Sequence, residues 1–159
     1  MLTLFIGCVL FLPAPHAEQM SLRQSLVQTL DIIEKHTSAV TARLKVVSVA
    51  ESQQYALTAS DRIAGYPVTG EATNLDKAKS HQLALLLLDN NNYINIRQRC
   101  ANQYFHGIRF SKDQQIIEVA IGIPCNQVLV VSPDGKKTKW WGGVFGDTAT
   151  KQALQLLGK

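Results

Sequence analysis

The chain is poor in the residues on which most recognisable chemistry depends. Its 159 residues include three cysteines, four histidines and twelve carboxylates. It has no Walker loop, no G-x-G-x-x-G, no H-E-x-x-H and no G-x-S-x-G, which excludes the enzyme classes that need those motifs. Neither C-x-x-C nor H-x-x-x-H occurs, so Cys100, His106, Cys125 and His81 would be an irregular set of zinc ligands, and we expect no metal and no cofactor. Most carboxylates away from the helices, among them Asp89, Asp113, Asp134 and Asp147, fall in turns or caps and read as solvated charges. Repeats, low-complexity segments and dense basic stripes are also missing. A net charge of +4 and a pI near 9.1 therefore suit anionic partners without pointing to nucleic acid.

What is present fits one folded domain, with 46% apolar and 18% charged residues. Met1 to Leu12 is uncharged and apolar apart from Thr3, and it runs into Pro13-Ala14-Pro15-His16-Ala17. We read residues 1–17 as a secretory signal and residues 18–159 as one α+β domain, with a helix over 18–38 and the core over 40–159. The apolar run is shorter than the roughly 20 residues that cross a bilayer, and no other stretch of the mature chain qualifies as a transmembrane segment. A second option is acylation of Cys8 after Phe5-Ile6-Gly7. The expected location is periplasmic or secreted.

Removal of the signal takes Cys8 and leaves Cys100 and Cys125, an even pair in an exported domain, which reads as a disulfide. Alternation places Cys100 with Ile94 and Ile96, and Cys125 with Ile117, Val119, Ile121 and Ile123, so both sulfurs are expected on the apolar side. Closing that loop would remove about 3.5 kcal/mol of denatured-state entropy.

Leu22, Leu26, Leu30 and Ile33 recur at helical spacing behind Ser21-Leu22-Arg23-Gln24, a capping-box sequence. From Val40 the period changes to two, which predicts a strand. Gly65 to Ala72 reads as a strand that Pro67 confines to an edge. Leu75 to Leu88 reads as a central buried helix capped by Asn74. Strands are predicted over Tyr93–Cys100, Gly107–Ser111, Ile116–Ile123, Val128–Ser132 and Thr138–Val144, with turns at Ser111-Lys112-Asp113-Gln114 and Ser132-Pro133-Asp134-Gly135. Asp147 or Thr148 caps a last short helix. The expected fold is an antiparallel sheet of five to six strands with an N-terminal amphipathic helix, one central buried helix and a short C-terminal helix.

Gly65-Tyr66-Pro67-Val68, Cys100, His106-Gly107-Ile108-Arg109-Phe110 and Ile121-Gly122-Ile123-Pro124-Cys125-Asn126-Gln127 resemble a family of small, exported, uncharacterised bacterial proteins. In that family an isoleucine-rich strand ends in Cys-x-x-Cys, and Gly122 stands here where the first of those cysteines would fall. The resemblance implies an antiparallel α+β domain and supplies no catalytic residues.

Three groups of residues merit a functional reading. His106 lies near Cys100 and shares parity with Ile108 and Phe110, so a thiol or hydrolytic enzyme built on His106 is the alternative to a binding protein. Arg97, Arg99 and Arg109 lie opposite the apolar parity and would form an outer guanidinium face able to clamp carboxylate or phosphate. Lys136, Lys137 and Lys139 stand beside Trp140 and Trp141. Trp140 is expected inside the core and Trp141 outside as a contact residue. The partner expected for these surfaces is an envelope or extracellular protein, or an anionic envelope component.

Overall fold

The computed structural model describes residues 27–48, 61–95, 100–134 and 137–159 and, within them, the side chains outside 27–29 and 133–141. Helix α1 (Val27–Glu34) buries Ile32 and Ile33. It ends where the His36 ring folds back and its Nδ1 donates to the Ile33 carbonyl at 2.7 Å, satisfying an acceptor that the last helical turn leaves open. The chain then enters β1 (Ser38–Lys45), the first long strand of the sheet.

A polar stretch was expected to lead into one strand over Gly65–Ala72. Instead the chain makes a miniature hairpin of β2 (Arg62–Ile63) and β3 (Tyr66–Pro67), and β4 (Thr73–Asn74) follows. The two-residue link Ala64-Gly65 has positive φ at both positions, 52° and 82°, which suits the right-handed twist of a tight hairpin. Pro67 sits in this edge hairpin, as a residue without an N–H must. Val68 forms a bridge to Leu44, and β4 pairs with β1.

Helix α2 (Lys77–Leu88) starts at Asp76, two residues after the expected cap, because the Asp76 carboxylate accepts the Lys79 N–H at 2.8 Å. Leu83, Ala84, Leu87 and Leu88 are buried, but Leu85 remains 55% exposed, so the helix covers the sheet with one face and is not enclosed. The Asn90–Asn92 turn closes it, and the Tyr93 hydroxyl donates to the Leu87 carbonyl at 2.7 Å. Of the strand expected over Tyr93–Cys100, Tyr93 forms a bridge to Phe145 and the Ile94 N–H bonds to the Val144 carbonyl; residues 96–99 lie outside the described ones.

Strands β5 (Tyr104–Lys112), β6 (Gln115–Ile123), β7 (Gln127–Asp134) and β8 (Lys137–Val144) form an antiparallel meander. The complete sheet runs β4-β1-β5-β6-β7-β8, every neighbour antiparallel. Helix α3 (Asp147–Leu156) closes the fold, with Gly146 as N-cap in place of the expected Asp147 or Thr148, and Ala149, Thr150 and Ala153 buried. The architecture is α+β, with six antiparallel strands.

Each face of the sheet carries its own core. On the helix side, Ile108 and Phe110 of β5, Ile117, Val119 and Ile121 of β6, and Val128 and Val130 of β7 pack with Ile33, Leu83, Leu87, Phe145 and Ala153. On the opposite side, Ala42, Leu44, Phe105 and Ala120 pack with Ile63 and Ala64 of the β2–β3 hairpin, flanked by Tyr66, Val68 and Leu129. This second core lies on the side of the sheet where the outer guanidinium face was expected. Strands two residues long carry no readable period, so the hairpin that covers the sheet left no signature in the sequence.

Candidate functional site

Cys100 and Cys125 are joined as a disulfide, with their Cα atoms 5.7 Å apart. Only one half of the bridge faces inward. Cys125 is buried, as expected, and Cys100 is exposed: residues 100–102 lie outside any strand, so alternation with Ile94 and Ile96 does not decide where Cys100 points. Asn102 fixes the corner: its Oδ1 accepts the Cys125 N–H at 3.3 Å and its Nδ2 donates to Gln127 Oε1 at 2.7 Å. A Cβ added at Gly122 would overlap the Asn102 carboxamide. Glycine at this position therefore has a packing reason.

The Arg109 side chain emerges on the face opposite Ile108, as expected, but the structure gives it partners within the chain. Its Nε donates to Glu118 Oε1 at 2.8 Å, its Nη2 donates to the Arg62 carbonyl, and the Asp61 carboxylate lies 3.8 Å away. Glu118 Oε2 accepts the Ala64 N–H at 2.7 Å. The pair is the latch that holds the hairpin on the sheet. Arg97 and Arg99, the other members of the expected guanidinium face, lie outside the described residues.

His106 is only 4% exposed and lies on the helix side, directly opposite Arg43 of β1 and Ile121 of β6. Its ring meets that of Tyr104 edge to face at 5.3 Å, and the Arg43 guanidinium lies over Tyr104 with Cζ 4.3 Å from the ring centre. Burial lowers the basicity of His106, and the charges of Lys159 and Arg43 lower it further, so the imidazole is neutral at pH 7. The sulfurs that a thiol enzyme or a zinc site would need are bonded to each other. His81, the remaining member of that set, is exposed on α2.

A second histidine pairing escaped sequence reading. His36 Nε2 lies 2.9 Å from the hydroxyl of Ser80. Nδ1 faces a carbonyl and donates to it, and the buried Ser80 hydroxyl donates its one hydrogen to the Lys77 carbonyl at 3.0 Å, so the serine is held as a structural group and not poised as a nucleophile. The pair ties α1 to α2, and no spacing in the sequence links residues 44 positions apart.

Lys136 lies outside the described residues, as do the side chains of Lys137, Lys139, Trp140 and Trp141. The backbone register alone is informative: Trp141 pairs with Val130, which is fully buried on the helix side, and Trp140 pairs with Val131, which flanks the second core.

These features define a disulfide-linked α+β domain whose antiparallel sheet is packed on both faces. Comparison with protein-family models, with curated proteins and with solved structures finds no match to the chain. Among the described residues, no helix is long and apolar enough to cross a membrane.

Proposed function

We propose that the chain is an exported, non-enzymatic binding domain that meets an envelope or extracellular partner, or an anionic envelope component, through its basic surface. The observation that carries this reading is the joined Cys100 and Cys125, since such bridges persist in oxidising compartments. The apolar run over Met1–Leu12 and the resemblance to small exported bacterial proteins support the same compartment. The bridge also disfavours the thiol enzyme, because a nucleophilic cysteine must be a free thiolate.

The contact surface in this reading comprises Arg97, Arg99 and the Lys136–Trp141 hairpin, where three lysines adjoin two indoles. Arg109 is dropped from it, because its guanidinium is occupied by Glu118 and Arg62. The deciding experiment is a thiol titration of protein purified from the envelope fraction, unfolded without reductant. Unreactive Cys100 and Cys125 support an exported disulfide domain. Two reactive thiols overturn it. Binding to envelope extract should weaken with salt and with glutamine at Arg97 and Arg99, and salt-independent binding would remove the electrostatic part of the reading.

A further inference from the structure

The two sulfurs of the bridge are chemically alike, but their residues stand in unlike places. Cys125 is 3% exposed, at a corner held by its own N–H, which donates to Asn102 Oδ1 at 3.3 Å, and by the Phe145 N–H, which donates to the Asn126 carbonyl at 2.8 Å. Cys100 is exposed and belongs to no strand. A thiolate that opens a disulfide comes along the S–S axis from the far side of the sulfur it attacks, so access decides which sulfur is taken. Packing closes that path at Cys125, and at Cys100 it is open to solvent. Charge acts in the same direction. Arg99 directly precedes Cys100 and Arg97 stands two residues further back, so the chain itself keeps positive charge near the sulfur that an anionic thiolate must reach.

We infer that Cys100 is a site of reversible S-thiolation by a small acidic thiol, with the bridge as the electrophile. The incoming thiolate forms a bond to Cys100 Sγ, the bond between Cys100 and Cys125 breaks, and its electron pair leaves on Cys125 Sγ, which takes a proton from water. One disulfide is made as another is broken, so the step needs no oxidant or reductant. The anchored corner keeps Cys125 in place, with the two Cα atoms 5.7 Å apart in the bridged form, and its thiolate reverses the step by attacking Cys100 Sγ and expelling the thiol. The site rests on the exported, bridged form proposed above, and it gives Arg97 and Arg99 a small anionic thiol as their ligand.

The test incubates the folded, bridged chain with glutathione, stops exchange with acid, alkylates free thiols in denaturant with N-ethylmaleimide and maps the tryptic peptides of residues 100–109 and 113–136. We expect glutathione on Cys100 and the maleimide on Cys125, in about tenfold or greater excess over the opposite arrangement, and a rate that urea leaves unchanged below the unfolding transition. Replacing Arg97 and Arg99 together by glutamine should slow glutathione by about threefold relative to the neutral thiol 2-mercaptoethanol, and added salt should do the same to the parent. Glutathione on Cys125, or a rate that climbs with urea as global unfolding does, overturns the proposal and leaves the exported reading standing. Equal slowing of both thiols overturns the preference for an acidic one. Free thiols in the chain as isolated from the envelope overturn both readings.

Discussion

Asn102 shows how much one side chain can hold in place. Its carboxamide accepts from the Cys125 N–H, donates to Gln127, and lies against the bare Cα of Gly122. A methyl group at Gly122 would push the amide away from both partners, so Gly122→Ala should cost about 1 to 2 kcal/mol in urea denaturation. The same change on an Asn102→Ala background should cost clearly less, since the clash and its victim are one interaction. Additive losses would show that the glycine matters for another reason. The sequence offered half of this account: Gly122 stood out where a cysteine was expected, but Asn102 is twenty positions away and carries no local signal.

Arg109 is the residue at which sequence parity was right and the conclusion drawn from it was incomplete. Pairing of Lys112 with Gln115 fixes the β5–β6 register and sets Arg109 opposite Glu118. The turn expected at Ser111–Gln114 would set Arg109 opposite Ile116; the strands turn one residue later, through Asp113-Gln114, so neither the pair with Glu118 nor the hairpin resting on it was legible. Arg109→Gln leaves a largely buried carboxylate without its cation, and we expect a loss of about 2 to 3 kcal/mol by denaturant unfolding. A loss below about 0.5 kcal/mol would return Arg109 to the solvated surface.

His106 carries a pH dependence whose sign is fixed by its environment. Its folded pKa lies below the ordinary value of 6.5 because of burial and the Lys159 and Arg43 charges. Below 6.5 the unfolded chain therefore binds the proton more readily than the folded one, and stability falls as pH drops from 6.5 towards the folded pKa. Above 6.5 both states hold the ring neutral and the dependence ends. His106→Gln should flatten the melting temperature between pH 7 and 5 relative to the parent, and an unchanged slope would place the titration elsewhere.

Among the elements, the long strands and both later helices were legible because eight to twelve residues suffice to show a period. The β2–β3 hairpin was not, and it is the element that gives the sheet a second core. Its seat is Gly107: a Cβ there would meet Leu44 Cδ1 at 2.8 Å and Ile63 Cγ2 at 2.9 Å. Leu44 is fixed in β1, so Ile63 and the hairpin must yield. Gly107→Ala is expected to cost about 1 to 3 kcal/mol. It should also raise hydrogen exchange at Ala64, whose N–H bonds to Glu118, more than at Val119 in the middle of β6. Uniform acceleration would mean that the hairpin and sheet open as one unit.

For the whole molecule, the open question is which side of the last hairpin contributes to the fold. Alternation told us that Trp140 and Trp141 occupy opposite faces of β8, but alternation is blind to register, and a one-residue slip exchanges the two. The choice of Trp140 for the core rested on keeping Lys139 out of it. The backbone pairs Asp134 with Lys137, position 141 with Val130 of the larger core beneath the helices, and position 140 with Val131 at the margin of the second core. Truncating an indole in a core costs about 3 to 5 kcal/mol, whereas an indole at a margin costs little until a partner covers it. Trp141→Ala should therefore lower the melting temperature strongly, and Trp140→Ala should leave it nearly unchanged while weakening partner binding. The opposite order would require β8 to pair one residue out of register with β7, and equal losses would make both rings core residues and remove the hairpin from the contact surface.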